Sequence, residues 1–359
     1  MWRGANSLVM RGKISNLPFL LLFLFLGTPT EAQHWEVETR GPESNLRGLS
    51  VTSSPGENGA AIPVVWTSGS NGVIVRSLDR GKSWQRLYVQ GGDELDFRGI
   101  VAFHASIAYV LSSGEGAKSR IYKTTDGGKS WKLQFLDNRR EFFLDTIACH
   151  SEKECFALGD PINGKFLVLK TTDGEHWNAL PVDNMPAALP GEGAFAASNS
   201  CLALAGDKDI FFSTGGPAAR VFHSNDGGLV WTVAETPVAH GNASSGIFSI
   251  VSDDHNHVIV VGGDYQATGQ AERTAAYSLD AGRTWQLAAQ QPGGFRSALA
   301  QLDGSRAIAV GPTGEDISDD YGVHWKPTDS LNLNTLAILD GKHGWAAGPH
   351  GTIAGLLDH

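Results

Sequence analysis

Short apolar runs alternate along this chain with polar, glycine-bearing turns, and the alternation repeats as a unit. One unit runs "FRGIVAF", "IAYVLSSG", "RIYKTT", "SWKLQFL"; the next runs "DTIACH", "CFALGD", "FLVLKTT", "HWNALP". Runs of this length, bounded by turn residues, predict β-strands, here four per unit and lettered A to D. The turn from C to D always carries one phrase. It reads "SLDRGKSW" at 77–84, "TTDGGKSW" at 124–131, "SNDGGLVW" at 224–231, "SLDAGRTW" at 278–285 and "SDDYGVHW" at 318–325, with a shorter "TTDGEHW" at 171–177. Its aspartates, Asp79, Asp126, Asp173, Asp226, Asp280 and Asp320, are 47, 47, 53, 54 and 40 residues apart. Six copies in one chain build a scaffold rather than six active sites. A period of about 40–50 residues with four strands per period predicts an all-β fold, a β-propeller.

The chemistry of the phrase explains its place. Asp, Ser and Thr accept hydrogen bonds from turn amides, and Gly supplies the positive φ of a tight hairpin. The tryptophans, Trp84, Trp131, Trp177, Trp231, Trp285 and Trp325, open strand D and can cover apolar surface at the turn. A Ca²⁺ loop would need more carboxylates than the phrase holds, so no metal is expected there.

Counting strands closes the ring. After the sixth phrase, "LNTLAILD", "GWAAGPHG" and "TIAGLL" supply A, B and C of a seventh unit, and no D follows. "HWEVETR" at 34–40 starts, like the other D strands, at a tryptophan. The expectation is seven blades of four antiparallel strands, with the N-terminal strand pairing with the C-terminal blade and removing an exposed sheet edge.

The first residues read separately. Arg3, Arg11 and Lys13 precede the apolar run "FLLLFLFL" at 19–26, and "TPTEAQ" follows. The run is short for a membrane span. Residues 1–32 therefore read as a secretory signal cleaved near Ala32, with Met10 an alternative start and an uncleaved anchor the rival reading. This makes 33–359 the propeller and its location periplasmic or secreted. Of 28 Lys+Arg and 38 Asp+Glu, residues 1–32 hold three cations and Glu31. The remainder has 25 against 37, a net charge of −12, which argues against general nucleic-acid or anionic-lipid binding. Cys149 and Cys155 bracket the polar turn "HSEKE", and facing positions across such a hairpin suit a disulfide; Cys201 reads as a buried thiol. The three cysteines have no metal-ligand spacing.

Phrases of the form Ser/Thr-x-Asp-x-Gly-x-Ser/Thr-Trp resemble Asp-box, or bacterial neuraminidase, repeats. The "TTDGGKSW" wording and the "HGWAAGPHGTI" ending resemble the photosystem II stability/assembly-factor family of seven-bladed propellers, over nearly all of residues 33–359. The resemblance implies a non-catalytic binding propeller with a protein partner. It also implies an arginine patch near the channel, which Arg47 in "LRGL", Arg98 in "FRGI" and Arg296 in "FRSA" match by position; Asp145 at the third blade's strand start departs from it. Asp boxes also occur in sialidases and xyloglucanases, which makes a glycoside hydrolase, with a glycan ligand, the alternative. The usual Arg-Ile-Pro opening of sialidases is absent.

In a propeller of this parse, the B–C and D–A connections share one face, around the channel mouth, and the C–D and A–B turns share the other. The mouth face should receive Asp160 in "GDPINGKF", Glu192 in "GEGAFAAS", Arg220 in "STGGPAARVF", and Asp264 and Tyr265 in "VGGDYQATG". Arg220 and Tyr265 join the three arginines as candidate partner-binding residues. Asp160, Glu192 and Asp264 are candidate catalytic carboxylates if they converge, and turn caps or partners of Arg98 and Arg220 if they do not. Asp253, Asp254, His255 and His257 in "SDDHNH" read as a solvated turn rather than a metal site. "NAS" at 242–244 matches a glycosylation acceptor. The chain has no G-x-G-x-x-G opening a helix, no phosphate loop and no G-x-S-x-G, so no cofactor is expected, and a monomer is.

Overall fold

The computed structural model describes residues 1, 2, 4, 34–56, 60–253, 256–341 and 343–357. The signal reading over 1–32 lies almost wholly outside them, as do Asp254 and His255. Residues Gln33–His359 form a unit separate from residues 1–32.

Seven antiparallel four-stranded sheets follow one another along this unit. Blade one is Leu46–Pro55, Ala61–Gly69, Ile74–Ser77 and Gln85–Leu87; blade two is Asp96–Ala102, Ala108–Ser113, Arg120–Thr124 and Lys132–Leu136. Blade three is Leu144–Cys149, Cys155–Ile162, Lys165–Thr171 and Asn178–Ala179, and blade four is Leu202–Ala205, Asp209–Ser213, Arg220–Ser224 and Thr232–Glu235. Blade five is Asn242–Ser252, Val258–Asp264, Ala275–Ser278 and Gln286–Leu287, with the short strand Gly215–Gly216 paired beside its first strand. Blade six is Ala298–Asp303, Arg306–Gly311, Gly314–Ser318 and Lys326–Asp329. Blade seven takes Thr335–Asp340, His343–Ala347 and Thr352–Leu357 from the end of the chain and His34–Arg40 from its start, the last pair running from His34 opposite Leu357 to Arg40 opposite Thr352. The seven-bladed propeller and its ring closure stand as the strand count predicts.

Burial is greatest in the middle strands of a blade and least in the outermost. Every residue of Ala108–Ser113 is buried, whereas the outer strands Asn178–Ala179 and Gln286–Leu287 are exposed. The apolar core therefore lies between blades. Among the described residues it divides into seven main clusters, each shared by two neighbouring blades, such as Trp66, Ile74 and Leu87 of blade one with Phe97, Val110 and Tyr122 of blade two. The last, with Leu46, Val65 and Val75 against Trp345 and Ile353, joins blade seven to blade one.

Each of these clusters holds one strand-D tryptophan. Trp131, Trp177, Trp231, Trp285, Trp325 and Trp84 occupy six. Trp35, from the N-terminal strand, occupies the seventh, between blades six and seven. The tryptophan thus serves as a wedge on the preceding blade, which explains why the phrase recurs once per blade and why the closing strand carries one too.

The turns before these tryptophans share one hydrogen-bonded clip. In the first copy the Gly81 amide donates to Ser77 Oγ at 2.8 Å, and the Ser83 amide donates to Asp79 at 2.9 Å. In the second, the Gly128 amide meets Thr124 Oγ1 at 2.8 Å and the Ser130 amide meets Asp126 at 2.9 Å. The other four repeat it through Asp173, Asp226, Asp280 and Asp320. The glycine is required because its φ is positive in all six, from 74° to 93°. Three tryptophans, Trp231, Trp285 and Trp325, also donate their indole N–H back to that glycine's carbonyl. The clips bond to the neighbouring A–B hairpins, Gly127 to Ser106 and Ala281 to Asn256, so both kinds of turn share a face.

Cys149 and Cys155 face each other in register across strands A and B of blade three and form a disulfide. Cys201 is fully buried. So short a loop is worth about 2 kcal/mol by chain entropy. Reduction, or the Cys149→Ser/Cys155→Ser double variant, is expected to lower unfolding free energy by about that much in urea titrations; no change in midpoint would refute it.

Candidate functional site

The channel mouth opposite the clips is shaped by the way the inner strands begin. In blades one, two, three and five the A–B register skips one residue, near the strand start in the first three and midway along the longer strand of blade five: Arg47, Arg98, Asp145 and Phe248. A β-bulge of this kind re-aims a side chain out of the pleat. All four line one cleft of about 480 Å³. In "FRSA" and "LNTL", Arg296 and Asn334 hold the same step in blades six and seven, and Asn334 also lines the cleft. Asp160, skipped in the B–C register of blade three, lines it from the next strand out.

The cleft's two arginines differ. Arg98 donates to Asp96 at 2.7 Å and to the Ala196 carbonyl at 3.1 Å. Arg47 donates to the Ala197 carbonyl at 3.0 Å and has no carboxylate within ion-pair distance among the described residues. Burial, and then the neighbouring charge of Arg98, hold Arg47 below the ordinary arginine range.

An aromatic wall stands beside them. Phe195 and Phe248 stack with centroids 3.8 Å apart, and Phe295 meets Phe248 edge-on at 4.7 Å. Tyr265 crosses both rings of the stack at 6.5 and 6.1 Å and is 47% exposed. Gly215 and Gly246 let the wall close up, since a Cβ on Gly215 would meet the Phe195 ring at 2.3 Å.

The floor is acidic. Asp145 is 1% exposed, and its buried Oδ2 has no hydrogen-bond partner among the described residues. Burial, then the charge of Asp160, push it well above the ordinary carboxylate range, with Arg98 pulling back. Asp160 accepts the Ala194 amide at 3.1 Å, and burial pushes it up to about 6.

Four candidates lie outside the cleft. Arg220 and Glu192 form a buried forked ion pair, its Nε–Oε1 bond 2.8 Å long; Thr214 and the Leu189 amide complete the carboxylate at 2.6 and 2.8 Å. Arg296 is 1% exposed, donating to Asp316 at 2.7 Å, Thr313 at 2.8 Å and the Phe295 carbonyl at 2.9 Å. Saturated and enclosed, these groups tie segments of their blades together. Asp264 lies outside the cleft, held in its turn by the Gln266 amide at 2.9 Å and by Asn242 at 3.1 Å. Asp160 and Glu192 both line a second, shallower pocket, where Glu192 is bound by Arg220, and Asp264 lines neither that pocket nor the cleft, so the three carboxylates do not converge. Arg47, Arg98, Asp160 and Tyr265 do share the cleft, and Asp145, noticed in the sequence only as a departure, is a full member.

The phenylalanines were missed. The available signal was positional: "IFSI" places Phe248 where "FRGI" places Arg98. His257 bonds Asp253 at 3.0 Å within its hairpin, and the described residues contain no group of three or more side chains able to hold a metal.

No protein-family model matches the chain, and no curated protein matches its sequence. Solved structures do resemble it. YCF48 bound to D1 peptide superposes with a TM-score of 0.62 at 14% identity, covering 90% of this chain and 97% of that one. YCF48 from Cyanidioschyzon merolae gives 0.60 at 16% identity, covering 90% and 98%. A catalytically inactive virginiamycin B lyase from Staphylococcus aureus with quinupristin gives 0.61 at 14%, covering 91% and 99%. At these identities the likeness establishes a shared propeller fold across nearly the whole chain.

Proposed function

We propose that this protein is a non-catalytic, assembly-factor-like binding propeller that holds a carboxylate-bearing segment of a protein partner in the mouth cleft. The observation that carries the reading is Arg47, a largely desolvated cation with no carboxylate within ion-pair distance among the described residues, beside Arg98 and an aromatic wall. Such a guanidinium gains a bidentate, charge-assisted partner when a carboxylate enters. The stacked phenylalanines and exposed Tyr265 offer apolar surface to the rest of the segment. A peptide is favoured as ligand because one propeller of this fold is known with a peptide bound. The disulfide supports an oxidising compartment, in keeping with the export signal read over residues 1–32.

The test is an immobilised peptide array with free-carboxylate, amidated, acidic and neutral members, probed at low and high salt. Wild-type protein should select carboxylates. Arg47→Glu should weaken that selection at least tenfold at low salt, with a smaller gap at high salt. An unselective wild type, or an unchanged Arg47→Glu profile, would overturn the reading.

A further inference from the structure

Of the four carboxyl side chains buried below a tenth of their surface among the described residues, three are saturated. Glu192 has Arg220, Asp316 has Arg296, and Glu315 accepts from Trp35 and Thr328. Asp145 is the exception, and it alone of the four lines the mouth cleft. A buried carboxyl oxygen with no partner is expensive for a fold to keep. Its bulge at the strand start brings it to the ring of mouth residues, and Asp160, one strand further out, stands in the same cleft with a single amide as partner.

We propose that the cleft is two-ended: Asp145 and Asp160 form a receptor for a primary ammonium group on the same ligand whose carboxylate is taken by Arg47 and Arg98. The arginine end of this inference rests on the function proposed above. Two adjacent carboxyls repel an anion, whereas an ammonium has three donors for their oxygens. Phe143 and Phe195 line the same cleft and add aromatic surface beside the carboxyls. A Ca²⁺ ion would want six or more oxygens, and two carboxyls do not supply them. Arg98, the cation facing Asp145, gives its Nε to Asp96 and Nη1 to the Ala196 carbonyl and bonds neither floor carboxyl, which leaves Nη2 for the ligand's carboxylate. Burial makes a charge on Asp145 and Asp160 costly, and a bound ammonium would offset that cost. The partner segment would then carry both signs, as a lysine side chain or free amino terminus near a carboxylate does.

The probes are small molecules. Hexanoate, hexylamine, and the series β-alanine, 4-aminobutanoate and 6-aminohexanoate are titrated into the folded protein by NMR. One member of the amino-acid series should bind at least tenfold tighter than hexanoate, its length reporting the span between the ends. Asp145→Asn, nearly isosteric, should abolish that advantage; Asp160→Asn serves as a second variant should the first misfold. Amino acids that bind no better than hexanoate, or an advantage that survives both variants, would overturn the ammonium end while leaving the arginine end standing. Hexylamine binding that needs Asp145, with no binding of hexanoate, would sustain the ammonium end and sink the arginine end.

Discussion

Trp35→Ala is expected to destabilise the protein by about 3–5 kcal/mol, the range for removing a large buried aromatic. Trp35 is 5% exposed and sits between Ile308 and Val310 of blade six and Leu336, Ala346 and Leu356 of blade seven. It is the seventh of the strand-D wedges and the one supplied from across the ring junction, so its loss weakens the join on which closure depends. It also donates its indole N–H to Glu315, which is 1% exposed. Burial raises Glu315 from 4.5 to about 7, against the pull of hydrogen bonds from Thr328 and Trp35. The folded state therefore binds the Glu315 proton more tightly than the unfolded chain does. The stability this contributes is full below about pH 4.5 and is lost as pH rises through about 7, on the order of 3 kcal/mol over the window. Alanine at position 35 removes a donor that favours the carboxylate, so the variant should lose more than wild type between pH 5 and pH 8. Urea titrations at those two values measure both effects. A deficit below 1 kcal/mol, or one that does not widen at pH 8, would refute the wedge-and-donor account. Trp35→Phe, which keeps the ring and drops the N–H, should show the pH effect with a smaller loss.

What could be read from the sequence, and what could not, follows from range. The clip is local: Ser77, Asp79, Gly81 and Ser83 satisfy one another within seven residues, so the phrase announces itself, and its spacing counts the blades. The closing strand was legible because a tryptophan and an empty strand-D position make a pair at opposite ends of the chain. The Cys149–Cys155 bridge spans one hairpin. The mouth is different. Arg47, Arg98 and Arg296 look alike in "LRGL", "FRGI" and "FRSA", and what separates them is a carboxylate elsewhere. Arg296 meets Asp316 from the third strand of its own blade, and no carboxylate among the described residues reaches Arg47 in the same way. The bulges that turn Arg47, Asp145 and Phe248 into the cleft are register shifts between strands, invisible to a pattern read along one strand. Phe248 inside an apolar run reads as core until the shift is seen.

That difference between the arginines sets the second large effect. Arg296→Ala is expected to cost about 3–5 kcal/mol, because it strands the Asp316 carboxylate in a fully buried site where, among the described residues, the Gly293 amide alone still donates to it. Charge reversal at 296 sets a second carboxylate against Asp316 and should prevent folding, so a loss of partner binding in Arg296→Glu would report a broken blade and nothing about recognition. The pair itself is a different quantity. Replacing both members with apolar residues of similar volume, Arg296→Met with Asp316→Leu, should recover most of the lost stability, since burying two charges offsets much of what their attraction gains. Arg47→Ala is the contrast: no carboxylate is orphaned, so its effect on stability should stay under about 1 kcal/mol while ligand affinity falls. Urea titrations of Arg296→Ala, the double variant and Arg47→Ala decide the matter together. Equal small losses at 47 and 296 would mean that Arg296 is as free as Arg47, and the assignment of one to the scaffold and the other to the site would fall.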